Sequence, residues 1–185
     1  MVVDEKKLIE IIEPHIFRCR AGDWEHAERV VKWIKELGQD REDLLLLITA
    51  GYIHDIGWRD LLNKDKITFE ELLALEPQAN KNSEQNIREL LGQLNYATKD
   101  IETILRLVSA ADKHKSSNED EAIIVDADQL SKLDINHLKE KFQKSEWIKM
   151  YELWNKEFDK RITTEKAKLL YPSLLTSLKR EIDIG

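Results

Sequence analysis

Apolar residues recur every three or four positions along most of the chain, which is the spacing of one face of an α-helix. In GDWEHAERVVKWIKELG the positions of Val30, Trp33, Ile34 and Leu37 follow this spacing and predict an amphipathic helix. The next segment, DREDLLLLITAGYIHDIGW, is apolar on nearly every side from position 44 to 53. A helix without a polar face packs inside other helices, so this segment is expected at the centre of the fold.

The rest of the chain carries the same pattern. Six further segments each predict one helix: TFEELLALE, SEQNIRELLGQLN, KDIETILRLVSAADKH, AIIVDADQLSKLD, HLKEKFQKSEWIKMYELWNKEF and TTEKAKLLYPSLLTSLKREID. The polar letters QANKN, between the first two, predict a connection. About nine helices and no convincing strand predict an all-α bundle. The 185 residues are expected to form one domain, with a core over roughly 15–135 and a helical extension over 136–185.

Composition and charge limit the binding partners and the cellular location that we expect for the protein. The formal net charge of −7 argues against binding of extended nucleic acid, which needs clustered Lys and Arg. No apolar stretch approaches the roughly 20 residues that span a bilayer, and the N-terminal letters MVVDEKKLIEIIE are too charged for a signal peptide. We therefore expect a cytoplasmic protein without a membrane partner. The single cysteine, Cys19, excludes an internal disulfide and a zinc site built from cysteines.

A histidine and an aspartate stand side by side where the apolar helix ends. His54 and Asp55 are about 100° apart on a helix, so both can reach one cation. The unpaired carbonyl groups at the end of a helix favour positive charge at the same place. Adjacent His and Asp residues are common by chance, so a metal site here needs further ligands from elsewhere in the chain.

Three other polar residues lie in segments that are expected to be buried. His26 is on the inward stripe of its helix, and IIVDADQL places Asp126 and Asp128 in an apolar segment. Buried carboxylates need a partner. Two imidazoles and two carboxylates, with water at open positions, suit Mn, Fe, Co, Ni or Zn better than Mg. The residues alone leave Asp126 and Asp128 as alternatives for the last ligand.

EHAERV around His26, GYIHDIG around the His-Asp pair and EAIIVDADQL around the last Asp share their order with a known signature. They resemble the H…HD…D pattern of the HD-domain superfamily of metal-dependent phosphohydrolases, and the resemblance covers roughly residues 23–130. It implies an HD-like helical bundle.

The resemblance also implies a ligand set, which is His26, His54, Asp55 and Asp128. Asp128 is selected because the ligand in the family follows the Ala of an ADxL-like phrase. Asp126 would then orient an imidazole or close an ion pair. Asp23 could hold the imidazole of the first ligand in the right tautomer, or could simply cap its helix.

Residues near the signature are candidates for catalysis and substrate binding. His114 falls where some related hydrolases carry a histidine that faces the substrate, and it could bind phosphate or protonate a leaving group. Lys113 and Arg29 are the nearest cations in the sequence and could neutralise a phosphoryl oxygen. Trp58 could line the pocket, and Asp55 is expected to take part in catalysis as well as in metal binding.

The chain departs from the family pattern at two points. Many relatives read HDIGK where this chain reads HDIGW, so a basic side chain is missing unless Arg59 replaces it. Binuclear relatives carry further histidines between the pair and the last Asp, but EPQANKNSEQN contains none, which favours one metal ion per chain. His15 and His137 are interpreted as structural or exposed residues.

The expected function is hydrolysis of a phosphate ester or anhydride by metal-activated water. The resemblance points to a small phosphorylated substrate, a nucleotide or a nucleotide-like molecule. The alternative is a non-catalytic ligand-sensing or interaction module on an HD scaffold, because the sequence does not identify the basic residue or the general acid. The apolar side of the helix at 138–160 could also meet a second copy of the chain in a homodimer.

Overall fold

The computed structural model describes residues 4–62 and 66–184, and the all-α prediction is confirmed. No β-strand occurs within these ranges, and one isolated bridge joins Ile67 to Phe142. Two 3₁₀ turns lie at Ile56–Trp58 and Lys144–Glu146. The described ranges contain nine α-helices, which are α1 (Glu5–Ile16), α2 (Asp23–Leu37), α3 (Leu44–Ile53), α4 (Phe69–Gln93), α5 (Thr98–Asp112), α6 (Glu119–Ser131), α7 (Ile135–Lys141), α8 (Trp147–Arg161) and α9 (Glu165–Ile184).

The centre of the bundle is built from α2, α3, α5 and α6. Helix α3 packs against α2 and α5, and α2 and α5 both pack against α6. All residues of α3 from Leu47 to Ile53 are buried, as expected for a helix without a polar face. Helix α6 is buried without a gap from Glu121 to Ser131, although this stretch includes aspartates. Those carboxylates therefore need partners inside the fold.

Helix α4 contradicts the prediction that QANKN connects two helices. The chain is helical without interruption over Phe69–Gln93, with Pro77 inside the helix. Thr68 starts the helix with a capping box, and Ala79 and Ser83 continue its buried face beyond the proline. A proline inside a helix costs roughly 3 kcal/mol. Packing of this face against the first 3₁₀ turn and α5 offsets that cost.

The segment HLKEKFQKSEWIKMYELWNKEF is two helices, so the prediction of one long helix is wrong. Helix α7 ends at Lys141, and Phe142 is extended, with φ −122° and ψ 151°. The backbone N–H of Ile67 donates to the Lys141 carbonyl at 3.1 Å, and the indole N–H of Trp147 donates to the Phe142 carbonyl at 3.3 Å. These bonds occupy carbonyl groups that a continuous helix would use internally, so the helix breaks here.

The helices after position 133 share the core of the rest of the chain. One buried apolar cluster runs from Leu8 in α1 to Ile182 in α9 and draws residues from all the helices named above.

Over the two described ranges, no helix has both the length and the apolar character that a bilayer crossing requires.

Candidate metal centre

Three helices bring His26, His54 and Asp128 to one buried point. His26 comes from α2, His54 directly follows α3, and Asp128 comes from α6; one side-chain atom of each lies within 4.8 Å of the others. The two Nε2 atoms are 3.1 Å apart. Asp128 Oδ1 lies 3.2 Å from Nε2 of His26 and 3.7 Å from Nε2 of His54. The three side chains are therefore close enough to bind one ion.

Asp55 borders the same point. Its Oδ2 atom lies 3.8 Å from Nε2 of His26 and 3.6 Å from Nε2 of His54. The same oxygen is 2.6 Å from Nη2 of Arg20 and 3.3 Å from Nζ of Lys141. Burial alone would raise the pKa of Asp55, but the charges of Arg20 and Lys141 outweigh it and hold that pKa well below its usual range. Asp55 is therefore a carboxylate at neutral pH.

Hydrogen bonds to the other ring nitrogens decide the tautomers of both histidines. The Nδ1–H of His54 donates to the Gly51 carbonyl at 2.8 Å. Ser131 Oγ donates to the Asp128 carbonyl at 2.8 Å, so its oxygen is left to accept from Nδ1–H of His26 at 3.1 Å. A neutral imidazole with a proton on Nδ1 carries a lone pair on Nε2. In the neutral form of each ring, the Nε2 atom therefore carries the lone pair, and the two Nε2 atoms face each other.

The nitrogen and oxygen atoms that meet at the centre are electron-pair donors. Burial first, and then the charge of Lys141, hold the pKa of His26 well below its usual range, so its imidazole is neutral. Asp128 Oδ1 is buried and accepts no hydrogen bond from any residue in 4–62 or 66–184. A buried acceptor without a partner costs free energy. A divalent cation would remove this cost, and the nitrogen and oxygen donors fit such an ion.

The other carboxylate oxygen of Asp128, Oδ2, accepts hydrogen bonds from two side chains. Nζ of Lys132 lies 2.5 Å from Asp128 Oδ2, and Nε2 of Gln129 donates to the same atom at 2.9 Å. Burial would raise the pKa of Asp128, but the charge of Lys132 outweighs it and holds that pKa well below its usual range. The side chain is thus a charged carboxylate whose Oδ1 is aimed at the histidines.

Asp23 supports the centre, although not in the way the sequence suggested. It is fully buried, and it binds Arg20 and Lys141 rather than the ring of His26. Helix α2 has Gly22 as its N-cap residue, so Asp23 is not the cap. Arg20 and Lys141 both reach Asp55 as well. Asp23 therefore orients the two cations that neutralise Asp55.

Arg20 brings a basic group next to Trp58, the residue that stands where many relatives carry the lysine of HDIGK. Its guanidinium carbon lies 4.0 Å from the centroid of the Trp58 ring. Trp58 is buried and lines the cavity as expected, but the side chain of Arg20 lies on its face. Arg59 does not replace the missing lysine, because its guanidinium binds Asn86 at 2.8 Å and His15 at 3.1 Å.

Three further sequence-predicted residues lie outside the centre. The carboxylate of Asp126 accepts hydrogen bonds from the backbone N–H groups of Thr163 and Thr164, just before α9, so it secures the start of that helix. Arg29 binds Glu140 through both Nη atoms, at 3.2 and 2.6 Å. Lys113 is exposed and lies just past the end of α5, in a separate groove. Distances between helices cannot be read from a sequence, so sequence reasoning could not separate these residues from the centre.

A cavity of about 430 Å³ opens from the centre, and all four expected ligands line it. His114, for which the resemblance implied a position facing the substrate, also lines this cavity. The residue has a left-handed backbone with φ 50°, and its Nδ1 lies 3.4 Å from Nε2 of Gln129. Burial, and then the charge of Lys132, lower the pKa of His114 to about 4. Its imidazole is therefore neutral at pH 7.

The sequence reasoning missed several residues of the cavity. His137 is buried, and its ring centroid lies 4.7 Å from that of His26. Asp112 also lines the cavity, and burial, followed by the charges of Asp55 and Asp128, raises its pKa to about 8. Lys132 could have been found, since it stands four residues after its partner in one helical segment. His137 and Lys141 are also four apart, but only the packing of α7 brings them to the cavity.

The comparisons agree with this geometry. Searches of curated proteins and of solved structures return no significant match. The HD domain family matches residues 23–133, which run from the start of α2 to just beyond α6 and include both histidines, Asp55 and Asp128. The resemblance drawn from the sequence is therefore confirmed, and the chain belongs to the HD domain family.

Proposed function

We propose that this protein is a metal-dependent phosphohydrolase that cleaves a phosphate ester or anhydride. HD domains bind divalent metal ions and are typically metal-dependent hydrolases. The observation that carries the proposal is the pair of buried Nε2 atoms, from His26 and His54, that lie beside Oδ1 of Asp128. With Asp55, these atoms would hold one ion of Mn, Fe, Co, Ni or Zn.

The chain's own residues would prepare the centre for hydrolysis. A divalent ion, when bound, would lower the pKa of a water molecule and neutralise charge on a phosphoryl oxygen. Arg20 and Lys141 keep Asp55 charged, and Lys132 does the same for Asp128. In the reaction the water oxygen bonds to phosphorus, the bond from phosphorus to the leaving oxygen breaks, and that oxygen takes a proton.

Two cavity residues are candidates for contact with the leaving group. His114 is neutral at pH 7, so we propose that it positions a phosphoryl or leaving oxygen by a hydrogen bond rather than as an acid. Asp112 has a pKa raised to about 8, chiefly by burial, and so holds a proton at neutral pH that it could donate to the leaving oxygen. By family analogy the substrate is a small phosphorylated molecule, and nucleotides are the first class to test.

The test combines metal binding with turnover. Mn²⁺ affinity is measured by titration calorimetry, and phosphate release from an aryl phosphate and a panel of nucleotides is measured with Mn²⁺ or Co²⁺. His54→Ala should lose Mn²⁺ binding by at least about 100-fold and lose turnover, because it removes a ligand. His114→Asn, which tolerates the left-handed backbone, should keep Mn²⁺ binding but lower turnover by about tenfold or more.

His15→Ala is the matched control, since His15 binds Arg59 instead of the centre. Unchanged Mn²⁺ stoichiometry in His54→Ala would overturn the ligand assignment. Binding of Mn²⁺ and of a nucleotide without phosphate release in the wild type would overturn the catalytic proposal and favour the sensing module.

A further inference from the structure

The cavity at the metal centre is lined by both charged and apolar side chains. Arg20, Lys132 and Lys141 bind carboxylates of the proposed ligands and form its polar end. Arg161 of α8 also lines the cavity. Apolar side chains from two helices also line it, and these are Phe69, Leu72 and Leu73 of α4 and Met150, Leu153 and Trp154 of α8. A ligand that fills this cavity would carry charge at one end and apolar surface at the other.

The charge at the polar end suits a single phosphoryl group. Arg20 and Lys141 are neutralised by Asp55 and Asp23, and Lys132 is neutralised by Asp128. Arg161 is held more loosely, with Nη2 4.0 Å from Oε2 of Glu157. A divalent ion would therefore supply most of the positive charge that is not already neutralised by a carboxylate of the protein and that can bind a substrate. Such an end can neutralise one dianionic phosphoryl group, but not a chain of them.

A carboxyl group on the cavity wall strengthens this limit. Glu76 lines the cavity in addition to the proposed ligands. A second or third phosphate of a longer substrate would bring more negative charge into a space that already holds this group. Such like-charge contacts cost free energy when they are shielded from water.

The apolar wall offers surface that a ligand could cover. Met150 and Trp154 are buried, whereas Leu153 is half-buried and Leu73 is 52% exposed. Leu73 and Leu153 therefore still have apolar surface in contact with water at this cavity. An organic group placed between α4 and α8 would remove that surface from water, which favours binding.

The α8 side of this wall lies outside the matched family range. Met150, Leu153, Trp154 and Arg161 follow position 133, where the match ends. The break at Phe142 ends α7 before α8 begins, and residues of both helices line the cavity. The organic part of the substrate would thus be recognised partly by α4, which the HD match includes, and partly by α8, which it does not.

We propose that the substrate is a phosphate monoester whose organic part is apolar and about the size of an aromatic ring, bound between α4 and α8. This inference rests on the proposed phosphohydrolase function, since the phosphoryl group must lie at the metal centre. The carbon or ring part then packs against Leu73 and Leu153.

The test uses non-hydrolysable phosphonates and the full chain loaded with Mn²⁺. In titration calorimetry phenylphosphonate should bind at least about tenfold more tightly than methylphosphonate, because only the phenyl group reaches the apolar wall. Leu73→Ala and Leu153→Ala should each reduce this ratio by about fivefold. Ile148→Ala is the matched control, since Ile148 lies on α8, is 43% exposed and is outside the cavity lining, and it should leave the ratio unchanged.

Turnover gives the second arm. Naphthyl phosphate should be hydrolysed with a kcat/KM at least about tenfold above that for glycerol phosphate or a nucleoside triphosphate. Equal affinity for the two phosphonates, an equal effect of Ile148→Ala, or equal turnover of the triphosphate would overturn this inference and leave the phosphohydrolase proposal standing. If Mn²⁺ binds but neither phosphonate binds and no phosphate is released, both proposals fail.

Discussion

At the scale of single residues, the tautomers of the two histidines of the centre are fixed by hydrogen bonds to residues that do not line the cavity. The Gly51 carbonyl and the Ser131 hydroxyl each take the Nδ1 proton of one imidazole, which leaves both Nε2 atoms as lone-pair donors. Partners of this kind raise the metal affinity of a histidine by fixing its tautomer and its orientation.

Ser131→Ala tests this arrangement. The change leaves Nδ1 of His26 without its acceptor, so the ring can turn or change tautomer, and Mn²⁺ affinity should fall by about 10- to 100-fold. Titration calorimetry measures the affinity. Ser173→Ala is the control, since Ser173 donates to a carbonyl three residues earlier in α9, as Ser131 does in α6. An unchanged affinity in Ser131→Ala would mean that another contact sets the tautomer.

Lys141 is the second residue whose role can be isolated. Its ammonium group is buried and binds both Asp23 and Asp55. Lys141→Met would leave two buried carboxylates with Arg20 as their shared cation, so we expect a loss of about 3 kcal/mol in the free energy of unfolding, measured in urea without metal. Adding Asp23→Asn to Lys141→Met should recover part of this loss, because one of the carboxylates is then removed.

Lys139→Met supplies the comparison for this experiment. Lys139 lies on the same helix and is exposed, so its change should alter the free energy of unfolding by no more than about 0.5 kcal/mol. Equal losses in the free energy of unfolding from the two lysine variants would show that the buried ion pairs of Lys141 do not stabilise the fold.

At the scale of elements, the contact between the first 3₁₀ turn and α4 holds the segment that follows His54 and Asp55. Gly57 makes this contact possible, because a Cβ atom there would lie 2.1 Å from the Ala79 carbonyl oxygen. That oxygen belongs to the helix backbone, which cannot move without disturbing the buried face of α4.

Gly57→Ala should therefore lower the free energy of unfolding by about 2–4 kcal/mol and weaken Mn²⁺ binding. Gly92→Ala is the matched variant in the same region of the fold, because a Cβ atom at position 92 meets nothing within 4 Å. It should instead stabilise the protein by about 0.5 kcal/mol through helix propensity. Urea unfolding distinguishes the two, and a similar small effect at both positions would contradict the close-approach argument.

Helix boundaries show where local reasoning works and where it stops. The spacing of Val30, Ile34 and similar residues correctly predicted α2, because periodicity is a property of one segment. QANKN looked like a loop, yet it is helical, since the packing of Ala79 and Ser83 against distant residues decides its conformation. The break at Phe142 likewise depends on hydrogen bonds to Ile67 and Trp147.

At the scale of the whole molecule, burial of histidines couples stability to pH. Burial holds the pKa values of His26 and His137 well below the usual range and lowers that of His114 to about 4. The native state then binds fewer protons than the unfolded chain at pH values below the ordinary value of 6.5. This part of the stability is complete above pH 6.5 and is lost as the pH falls below it. Asp112, with its pKa raised to about 8, acts in the opposite direction between its ordinary value of 3.8 and pH 8.

His114→Asn isolates one histidine from this sum. In metal-free protein the variant should lose less stability than the wild type between pH 6.5 and pH 5, by about 1–2 kcal/mol, because one group no longer gains a proton on unfolding. Urea unfolding at a series of pH values measures the difference. Between pH 7.5 and 8.5 the two proteins should show the same pH dependence, and a difference confined to that range would contradict the assignment to His114.

The sequence by itself determined the helical class and the central position of α3, because period and residue type are properties of short segments. His26, His54, Asp55 and Asp128 were named together only through the resemblance of three phrases to the HD-domain signature, since the residues alone left Asp126 and Asp128 as alternatives. Only the tertiary structure decided their surroundings: Arg20 and Lys141 on Asp55, Asp126 at the start of α9, and α8 as a wall of the cavity. These contacts join residues far apart in the chain or on separate elements, and their distances depend on how whole helices pack.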